Sequence, residues 1–382
     1  MSEARTGIDR FADDLVLQRR HVGGRVPVYE RVLDLVAAEL DGELGRRLTK
    51  AWARRTFPIY YERPLLLLAT LRYDALVTGP AHPLWSALAA DAPDAGVVTR
   101  DALHAAFARD RPRVWHSLTR RRVQTNEVSR AVAWLWPAAL AGDRPLVLCD
   151  MGCSAGLNLV ADALGQSWGE VAGGTSRFRR TLPDQALGET FAGGQLAVAR
   201  DPRVVARLGF DGAPIDATDP DAADWLRACI WVGETARLRR LDAALAAFRA
   251  AAAHDGAPVI EAIDARDMPA RLAALSAAAR QDALWLAYQT FVREYMGGSR
   301  TAYLDGMRDW LRSRPPGAAL WIEMEDPPDG ATRELPAGIM AHVVGPDGAL
   351  ASLLLARCYY HPTELAPEPA AVAALRAALA PS

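Results

Sequence analysis

Hydrophobic residues in the first 140 positions recur at the three- and four-residue spacing of helices. The segment VYERVLDLVAAEL at 28–40 predicts an amphipathic helix. The segment RPLLLLATLRYDALVTG at 63–79 is more apolar and stops at Gly79-Pro80, which predicts a buried helix. Further helices are predicted over 82–91, 99–109 and 124–141. Because no convincing strand pattern occurs in this region, we predict an all-helical N-terminal cap domain over residues 1–140.

From residue 145 onward, short apolar runs alternate with helical segments. LVLCDM at 146–151 is an apolar run that ends with an acid, which is typical of a buried parallel strand. Further strands are predicted over 258–267, 282–291, 318–325, 339–345 and 352–360, the last two as a closing hairpin. The segments 176–182 and 195–200 predict another hairpin, within an insertion around 170–205. The alternation indicates an open α/β sheet, so we predict a Rossmann-like domain over residues 141–382.

Composition and charge exclude several classes of function. The chain has 382 residues, of which 51% are hydrophobic and 24% charged, as in globular proteins. A formal net charge of -2 provides no basic field, so we expect no nucleic-acid partner. We see no signal-peptide layout and no apolar run of membrane-spanning length, and therefore expect a cytoplasmic protein without a membrane partner. The 4 cysteines form no CxxC pair, so we predict no metal site.

The turn after the first predicted strand contains most of the candidate chemistry. In DMGCSAGLNL the spacing Asp150-x-Gly152-x-x-x-Gly156 fits the acid-x-G-x-x-x-G pattern of sheets that bind S-adenosyl-L-methionine (SAM). Gly152 lets the backbone turn tightly beside a ligand, and Gly156 permits a strand and a following helix at 157–164 to pack closely. The predicted cofactor-binding residues of this turn are Asp150, Gly152, Ser154, Gly156 and Asn158.

Two later acids extend the SAM interpretation. Asp211 in GFDGAP corresponds to the acid that takes the ribose hydroxyls, and Asp264 in EAIDARDMP to the residue that borders the adenine. About 60 residues separate Gly152 from Asp211, whereas roughly 20 are usual for a βαβ unit. The insertion around 170–205 would account for this difference.

Other interpretations of the turn belong to different classes of protein. Dinucleotide binding is disfavoured because Ser154 replaces the second glycine of G-x-G-x-x-G. GCSAG also matches G-x-S-x-G, the nucleophile elbow of serine hydrolases, with His342 and His361 downstream. That elbow normally follows several strands, whereas only helices are predicted before residue 145. A non-catalytic SAM-fold module for ligand binding or regulation remains a further alternative.

Two motifs together resemble a known bacterial family. RRRVQTNEVSRA at 120–131 and MGCSAGLNL at 151–159 are similar to segments of the domain of unknown function 2332 family, and similarity extends over nearly the whole chain. The resemblance implies a Rossmann-like SAM-methyltransferase sheet and no established reaction. Where this chain reads AYQTF at 287–291, relatives tend to have a histidine-serine pair.

The polar segment QTNE at 124–127 precedes a strongly apolar stretch. Thr125 or Asn126 could cap a helix, but capping needs only one or two such residues. We therefore expect Gln124 and Asn126 to bind a substrate and Glu127 to act as a base.

Three acids and two polar residues end the later strands. Tyr288 is the second candidate base and Gln289 a third substrate-binding residue, because both lie at the end of the predicted strand at 282–291. Glu323, Glu325 and Asp326 are expected to be solvated loop charges. The sequence thus predicts a SAM-dependent methyltransferase that acts on an unidentified small molecule, and it does not predict the oligomeric state.

Overall fold

The computed structural model describes residues 7–57, 59–165, 167–170, 178–181, 195–196, 202–254, 257–278, 282–327, 329–330, 332 and 334–380. The chain forms two compact units, and each unit contains two segments of sequence. The first consists of Met1–Thr125 and Asp219–Leu241, and the second of Asn126–Thr218 and Asp242–Ser382.

The helices of the described residues are numbered in chain order. They are α1 (Gly7–Val22), α2 (Pro27–Ala38), α3 (Glu43–Trp52), α4 (Glu62–Thr78), α5 (Trp85–Leu88), α6 (Arg100–Ala106), α7 (Pro112–Arg120), α8 (Val132–Leu140), α9 (Pro220–Cys229), α10 (Thr235–Ala252), α11 (Met268–Ala278), α12 (Arg300–Arg312) and α13 (Pro369–Leu379). Short 3-10 helices include Val128–Ala131 and Leu157–Leu164.

Helix α4 forms the centre of the first unit. It is buried over most of its length, as its apolar sequence predicts, and it packs against α1, α7 and α9. It ends at Gly79, whose φ of 73° closes the helix in a conformation that favours glycine. The predicted buried helix is therefore confirmed.

A buried carboxylate on α4 lies in a cluster of charged and polar side chains. The carboxylate of Asp74 is 3% exposed and pairs with Arg111 and Arg113 over 2.8 and 2.9 Å. His82 lies 3.3 Å from the same carboxylate. The burial of Asp74 raises its pKa, but contacts with these three groups lower it to about 2. The carboxylate is therefore charged and fully compensated.

The strands of the described residues form one mixed sheet. They are β1 (Leu146–Met151), β2 (Ser167–Glu170), β3 (Phe178–Thr181), β4 (Gln195–Leu196), β5 (Val204–Asp211), β6 (Val259–Ala262), β7 (Leu284–Thr290), β8 (Ala319–Glu325), β9 (Ala337–Val344), β10 (Leu350–Cys358) and β11 (Glu364–Pro367). Their order is β4-β2-β3-β11-β10-β9-β8-β7-β1-β5-β6. The chain thus has the predicted α/β class, and its sheet is mixed.

The two halves of the sheet differ in strand direction. The five strands β6, β5, β1, β7 and β8 are parallel. From β8 to β11 each strand is antiparallel to its neighbour, and the predicted closing hairpin is confirmed as β9 and β10. Strands β1 and β8 are buried throughout, as expected for parallel strands covered on both faces.

Several local predictions are wrong. Strands β3 and β4 do not form a hairpin with each other, because each pairs with the unpredicted strand β2. Residues 171–177 and 182–194 lie outside the described residues. The predicted helix at 157–164 is a 3-10 helix, and β11 and α13 extend the fold beyond the predicted elements.

Among the described residues, no helix combines the length and the apolar character needed to cross a membrane.

Candidate functional site

The strand order of the parallel half reverses at β1. From β1 the chain continues to β5 and β6 on one side, and then returns to β7 and β8 on the other. In open parallel sheets, ligands bind beyond the carboxyl ends of the strands where the order reverses. The glycine-containing turn that follows β1 lies at this position.

Two non-glycine residues of the described chain have positive φ angles. Ser154, in the turn after β1, has a φ of 52°, and Phe291, directly after β7, has a φ of 56°. Non-glycine residues in this region cost about 1–3 kcal/mol each and cluster at functional sites. Both strained residues follow the adjacent strands at which the order reverses, which marks this edge as the candidate site.

The turn after β1 is saturated with internal hydrogen bonds. Every backbone N–H from residue 152 to residue 156 donates within the chain. The acceptors are Phe210 O for Gly152 and Cys153 (2.7 and 3.1 Å), Asp211 Oδ2 for Ser154 (2.8 Å), Asn126 Oδ1 for Ala155 (3.3 Å) and Cys153 O for Gly156 (2.8 Å). A phosphate cradle needs several unpaired N–H groups, so this turn does not provide one.

Asp211 lies against the turn despite its distance in sequence. Its Oδ2 accepts the Ser154 N–H and its Oδ1 accepts the Ala213 N–H, both over 2.8 Å. The side chain is half-buried, and each carboxylate oxygen retains a second lone pair. The strand order places β5 beside β1, and Asp211 ends β5. The structure therefore brings Asp211 and Ser154 together.

Asp150 and Tyr288 form a buried pair on neighbouring strands. The Tyr288 hydroxyl donates to Asp150 Oδ2 over 2.8 Å, and Tyr288 is 0% and Asp150 4% exposed. Burial raises the pKa of Asp150 to about 7; the hydrogen bond from Tyr288 lowers it, and the charge of Asp211 raises it further. Burial and the charge of Asp150 raise the pKa of Tyr288 well above its ordinary value. A buried phenol in this state is a poor base, so the geometry does not favour the role predicted for Tyr288.

Asn126 joins the polar segment to the turn. Its Nδ2 donates to Ser154 Oγ over 3.0 Å, and its Oδ1 accepts the Ala155 N–H. The neighbouring carboxylate of Glu127 accepts the Ser129 N–H over 3.1 Å and so caps the 3-10 helix Val128–Ala131. The alternative in which Thr125 or Asn126 caps the helix does not hold, because the N-cap residue is Glu127. The segment 124–127 crosses the boundary between the units, and Gln124 belongs to the first.

The remaining predicted residues have different environments. Gln289 is 0% exposed, and its amide hydrogen-bonds with Glu325, Tyr303 and Trp321. Asp264 is exposed and pairs with Arg266 over 3.0 Å. Both side chains are therefore already paired with other residues of the chain.

Asn158 carries an unpaired polar atom. Its Oδ1 is buried and has no hydrogen-bond partner among the described residues. A buried acceptor of this kind calls for a partner, such as a ligand. Asn158 is the second residue of the 3-10 helix that follows Gly156, so the unpaired oxygen belongs to a residue two positions after the turn.

The loop after β7 packs on the turn, which the sequence analysis missed. A Cβ added to Gly152 would lie 2.5 Å from Val292 Cγ2. The carboxylate of Glu325 holds this loop, since its Oε1 accepts the N–H groups of Val292 and Arg293 over 2.9 and 3.3 Å. Burial raises the pKa of Glu325 to about 7.

Two of the three acids at the end of β8 are buried, contrary to prediction. Glu323 is 2% and Glu325 5% exposed, so neither is a solvated loop charge, whereas Asp326 is exposed as predicted. The sequence WIEME at 321–325 could have indicated this burial. Its acids alternate with apolar residues, which places both acids on one face of the strand.

One of the two histidines that the nucleophile-elbow interpretation requires is hydrogen-bonded elsewhere. The hydroxyl of Ser154 accepts a hydrogen bond from Asn126. His342 instead hydrogen-bonds to Ser352 and Glu323, over 2.8 and 2.9 Å. His342 therefore hydrogen-bonds to Ser352 and not to Ser154.

Comparisons with known proteins define the family of the chain. No curated protein and no solved structure matches it. A family model described as "Uncharacterized protein conserved in bacteria (DUF2332)" matches residues 14–366, which is most of the chain. The protein therefore belongs to the bacterial domain of unknown function 2332 family.

Proposed function

We propose that the second unit binds SAM at the turn after β1 and transfers its methyl group to a small molecule. The observation that carries this proposal is the position of two carboxylates, Asp150 and Asp211, beside the strained turn at the reversal of strand order. Nucleoside-type ligands favour this location in open parallel sheets. The strand order β6-β5-β1-β7-β8 supports a Rossmann-like methyltransferase sheet.

The charge of the site suits a cationic ligand. SAM carries a positive sulfonium group, and its demethylated product, S-adenosylhomocysteine, does not. The charge of Asp211 contributes to the raised pKa of Asp150, so the two acids repel each other. A bound cation would relieve this repulsion and favour the ionised form of Asp150.

Two side chains retain hydrogen-bonding capacity for the cofactor. Asp211 has a free lone pair on each oxygen and is half-buried. Asn158 Oδ1 is buried without a partner among the described residues and would accept a hydrogen bond. Asp264 is exposed and paired with Arg266, which makes it the weakest of the predicted contacts.

The chemistry depends on orientation more than on acid–base groups. Bound SAM supplies an electrophilic methyl group, and the residues of the chain position it and the acceptor. Correct placement of two reactants lowers a barrier by several kcal/mol. Glu127 remains the predicted base, although its carboxylate already accepts the Ser129 N–H.

Calorimetric titration of the full chain with SAM and S-adenosylhomocysteine tests the proposal. We expect micromolar binding that weakens at least tenfold in Asp211→Asn. Asp305→Asn is the matched control, because Asp305 is an exposed acid on α12 that pairs with Arg308. Absence of binding at millimolar ligand, or equal binding by the two variants, contradicts the proposal.

A non-catalytic SAM-fold module is the second candidate. It is favoured by one observation: Tyr288 and Gln289, which were predicted to act on the acceptor, are both 0% exposed and hydrogen-bonded internally. The two candidates differ in turnover. A methyltransferase converts SAM into S-adenosylhomocysteine with a panel of phenol, amine and carboxylate acceptors, whereas the module binds SAM without converting it.

A further inference from the structure

A chain of hydrogen bonds joins three consecutive strands away from the turn. It consists of Glu323 on β8, His342 on β9 and Ser352 on β10. His342 Nε2 lies 2.9 Å from Glu323 Oε2, and His342 Nδ1 lies 2.8 Å from Ser352 Oγ. A hydroxyl, an imidazole and a carboxylate in this sequence of contacts have the composition of a catalytic triad.

The solvent exposure of the three side chains increases from Glu323 through His342 to Ser352. Glu323 is 2% exposed, and Arg293 pairs with both of its oxygens. Burial raises the pKa of Glu323, but hydrogen bonds from His342 and Arg293 lower it below its ordinary value. The His342 ring stacks on Trp321 with centroids 4.4 Å apart. Ser352 is exposed, so an external molecule can reach its hydroxyl.

The sheet register fixes this arrangement. Ser352 lies directly opposite His342 in the β9–β10 pair, and His342 lies opposite Trp321 in the β8–β9 pair. Side chains on paired strands are held more accurately than side chains on loops. The geometry of the three groups is therefore a property of the fold.

Among the described residues, no strand pairs with the outer edge of β10 beside Ser352. Strand β11 pairs with β10 at residues 356–358, and the Glu368 N–H donates to the Leu355 carbonyl. Successive N–H groups of a strand point to opposite edges, so either Ser352 or Leu353 directs its N–H away from β9. That N–H would be a donor for a negatively charged oxygen that forms next to the hydroxyl.

We propose that Ser352 and His342 form a catalytic centre that hydrolyses small esters, with Glu323 as the positioning residue. With the His342 proton on Nε2, hydrogen-bonded to Glu323, Nδ1 is free to accept the proton of Ser352. The Ser352 oxygen then attacks the ester carbonyl carbon. His342 returns the proton to the leaving alkoxide as the C–O bond breaks, which leaves an acyl-serine and an alcohol. Water, deprotonated by the same nitrogen, releases the acid and restores the serine.

Covalent capture on the full chain tests this centre. A fluorophosphonate probe, followed by peptide mass spectrometry, is expected to label Ser352. Hydrolysis of p-nitrophenyl acetate is expected to fall at least tenfold in Ser352→Ala and His342→Gln. Ser313→Ala is the matched control, because Ser313 is an exposed serine that hydrogen-bonds to the Trp310 carbonyl.

The labelled peptide and one further variant separate catalysis from folding. A probe attached to Ser352, with Ser154 unlabelled in the same protein, distinguishes this centre from the turn after β1. Glu323→Gln should lower kcat with little change in KM if Glu323 orients the imidazole. Labelling of Ser154 in place of Ser352, equal labelling of His342→Gln, or hydrolysis unchanged in Ser352→Ala overturns the proposal. None of these outcomes depends on SAM binding.

Discussion

The hydroxyl of Tyr288 donates to the carboxyl group of Asp150 across 2.8 Å and links the two strands at which the sheet reverses its order. Both side chains are buried. The pair holds an acid with a pKa of about 7 next to the strained turn. The protonation state of Asp150 therefore changes within the physiological pH range, and both stability and ligand binding should depend on it.

Replacing Asp150 with asparagine should stabilise the protein at alkaline pH. The folded-state pKa of Asp150, about 7, exceeds the ordinary value of 3.8. Wild-type stability should therefore fall as the pH rises from about 4 to 7, since the folded state binds the proton more tightly than the unfolded state. The neutral amide would remove this loss, and we expect a gain of roughly 2 to 4 kcal/mol at pH 8. Urea unfolding at pH 5 and pH 8 measures it, and a gain that is equal at both pH values would contradict the assignment.

SAM binding should strengthen as Asp150 ionises. A cationic ligand favours the charged carboxylate, so SAM affinity should rise up to about eightfold between pH 6 and pH 7.5. S-adenosylhomocysteine lacks the sulfonium charge and should show a smaller rise. Calorimetry of both ligands measures the effect, with Asp150→Asn as the control in which the difference disappears. Equal pH dependence for the two ligands would argue against a cation site.

Gly152→Ala should be destabilising in a way that Val292→Ala partly relieves. An added Cβ would meet Val292 Cγ2 at 2.5 Å, and the φ of 89° strains any residue with a Cβ. We expect a loss of about 2 to 5 kcal/mol from overpacking and backbone strain together. Removing the Val292 methyl groups should return about 1 to 2 kcal/mol of it. A double-mutant cycle of chemical denaturation measures this coupling; simple additivity would mean that the two residues do not meet.

Asn126→Ala should loosen the turn and weaken ligand binding. The variant loses the hydrogen bonds to Ser154 Oγ and to the Ala155 N–H, worth about 1 to 3 kcal/mol in total. Asn126→Asp keeps the acceptor for Ala155 and loses the donor to Ser154, so its effect should be intermediate. Titration with SAM ranks the three proteins. Unchanged affinity in Asn126→Ala would separate this residue from the ligand site.

Asp74→Asn should destabilise the first unit at neutral pH. The native pKa of about 2 lies below the ordinary value of 3.8, so this carboxylate stabilises the fold above pH 4. The contribution, about 2 kcal/mol, is lost as the pH falls from about 4 to 2. The difference between wild type and variant should accordingly be large at pH 7 and small near pH 2. Denaturation curves at the two pH values test this, and a constant difference would contradict it.

Local patterns predicted the elements that are strongly apolar. The buried helix around residues 63–79 and the continuous strand at 146–151 were identified because each carries its own hydrophobic signal. Strand β2 was missed because SWGE at 167–170 is only 4 residues long and does not alternate between apolar and polar positions. Its position between β3 and β4 comes from tertiary pairing, which local propensity does not encode.

The same distinction applies to the candidate site. The turn from Asp150 to Gly156 was predicted because its residues are adjacent in sequence. The contact of Val292 with Gly152 was not, because it depends on how the loop after β7 folds back over β1. The burial of Glu323 and Glu325 was also missed, since the sheet and α12 cover a strand end that resembles a polar loop in sequence.

The two-segment construction of the first unit affects how it folds during synthesis. Within this unit, α9 packs on α4, Tyr73 and Arg121 bond to Asp221, and Trp225 donates to the Arg122 carbonyl. A ribosome that has completed Thr125 must add roughly 100 residues before the segment Asp219–Leu241 emerges. At ordinary translation rates, the apolar surface of α4 therefore remains without its partner helix α9 for roughly 5 to 20 s. A nascent chain paused in that interval would be a natural client for chaperones, and the N-terminal segment alone would be a poor choice for expression.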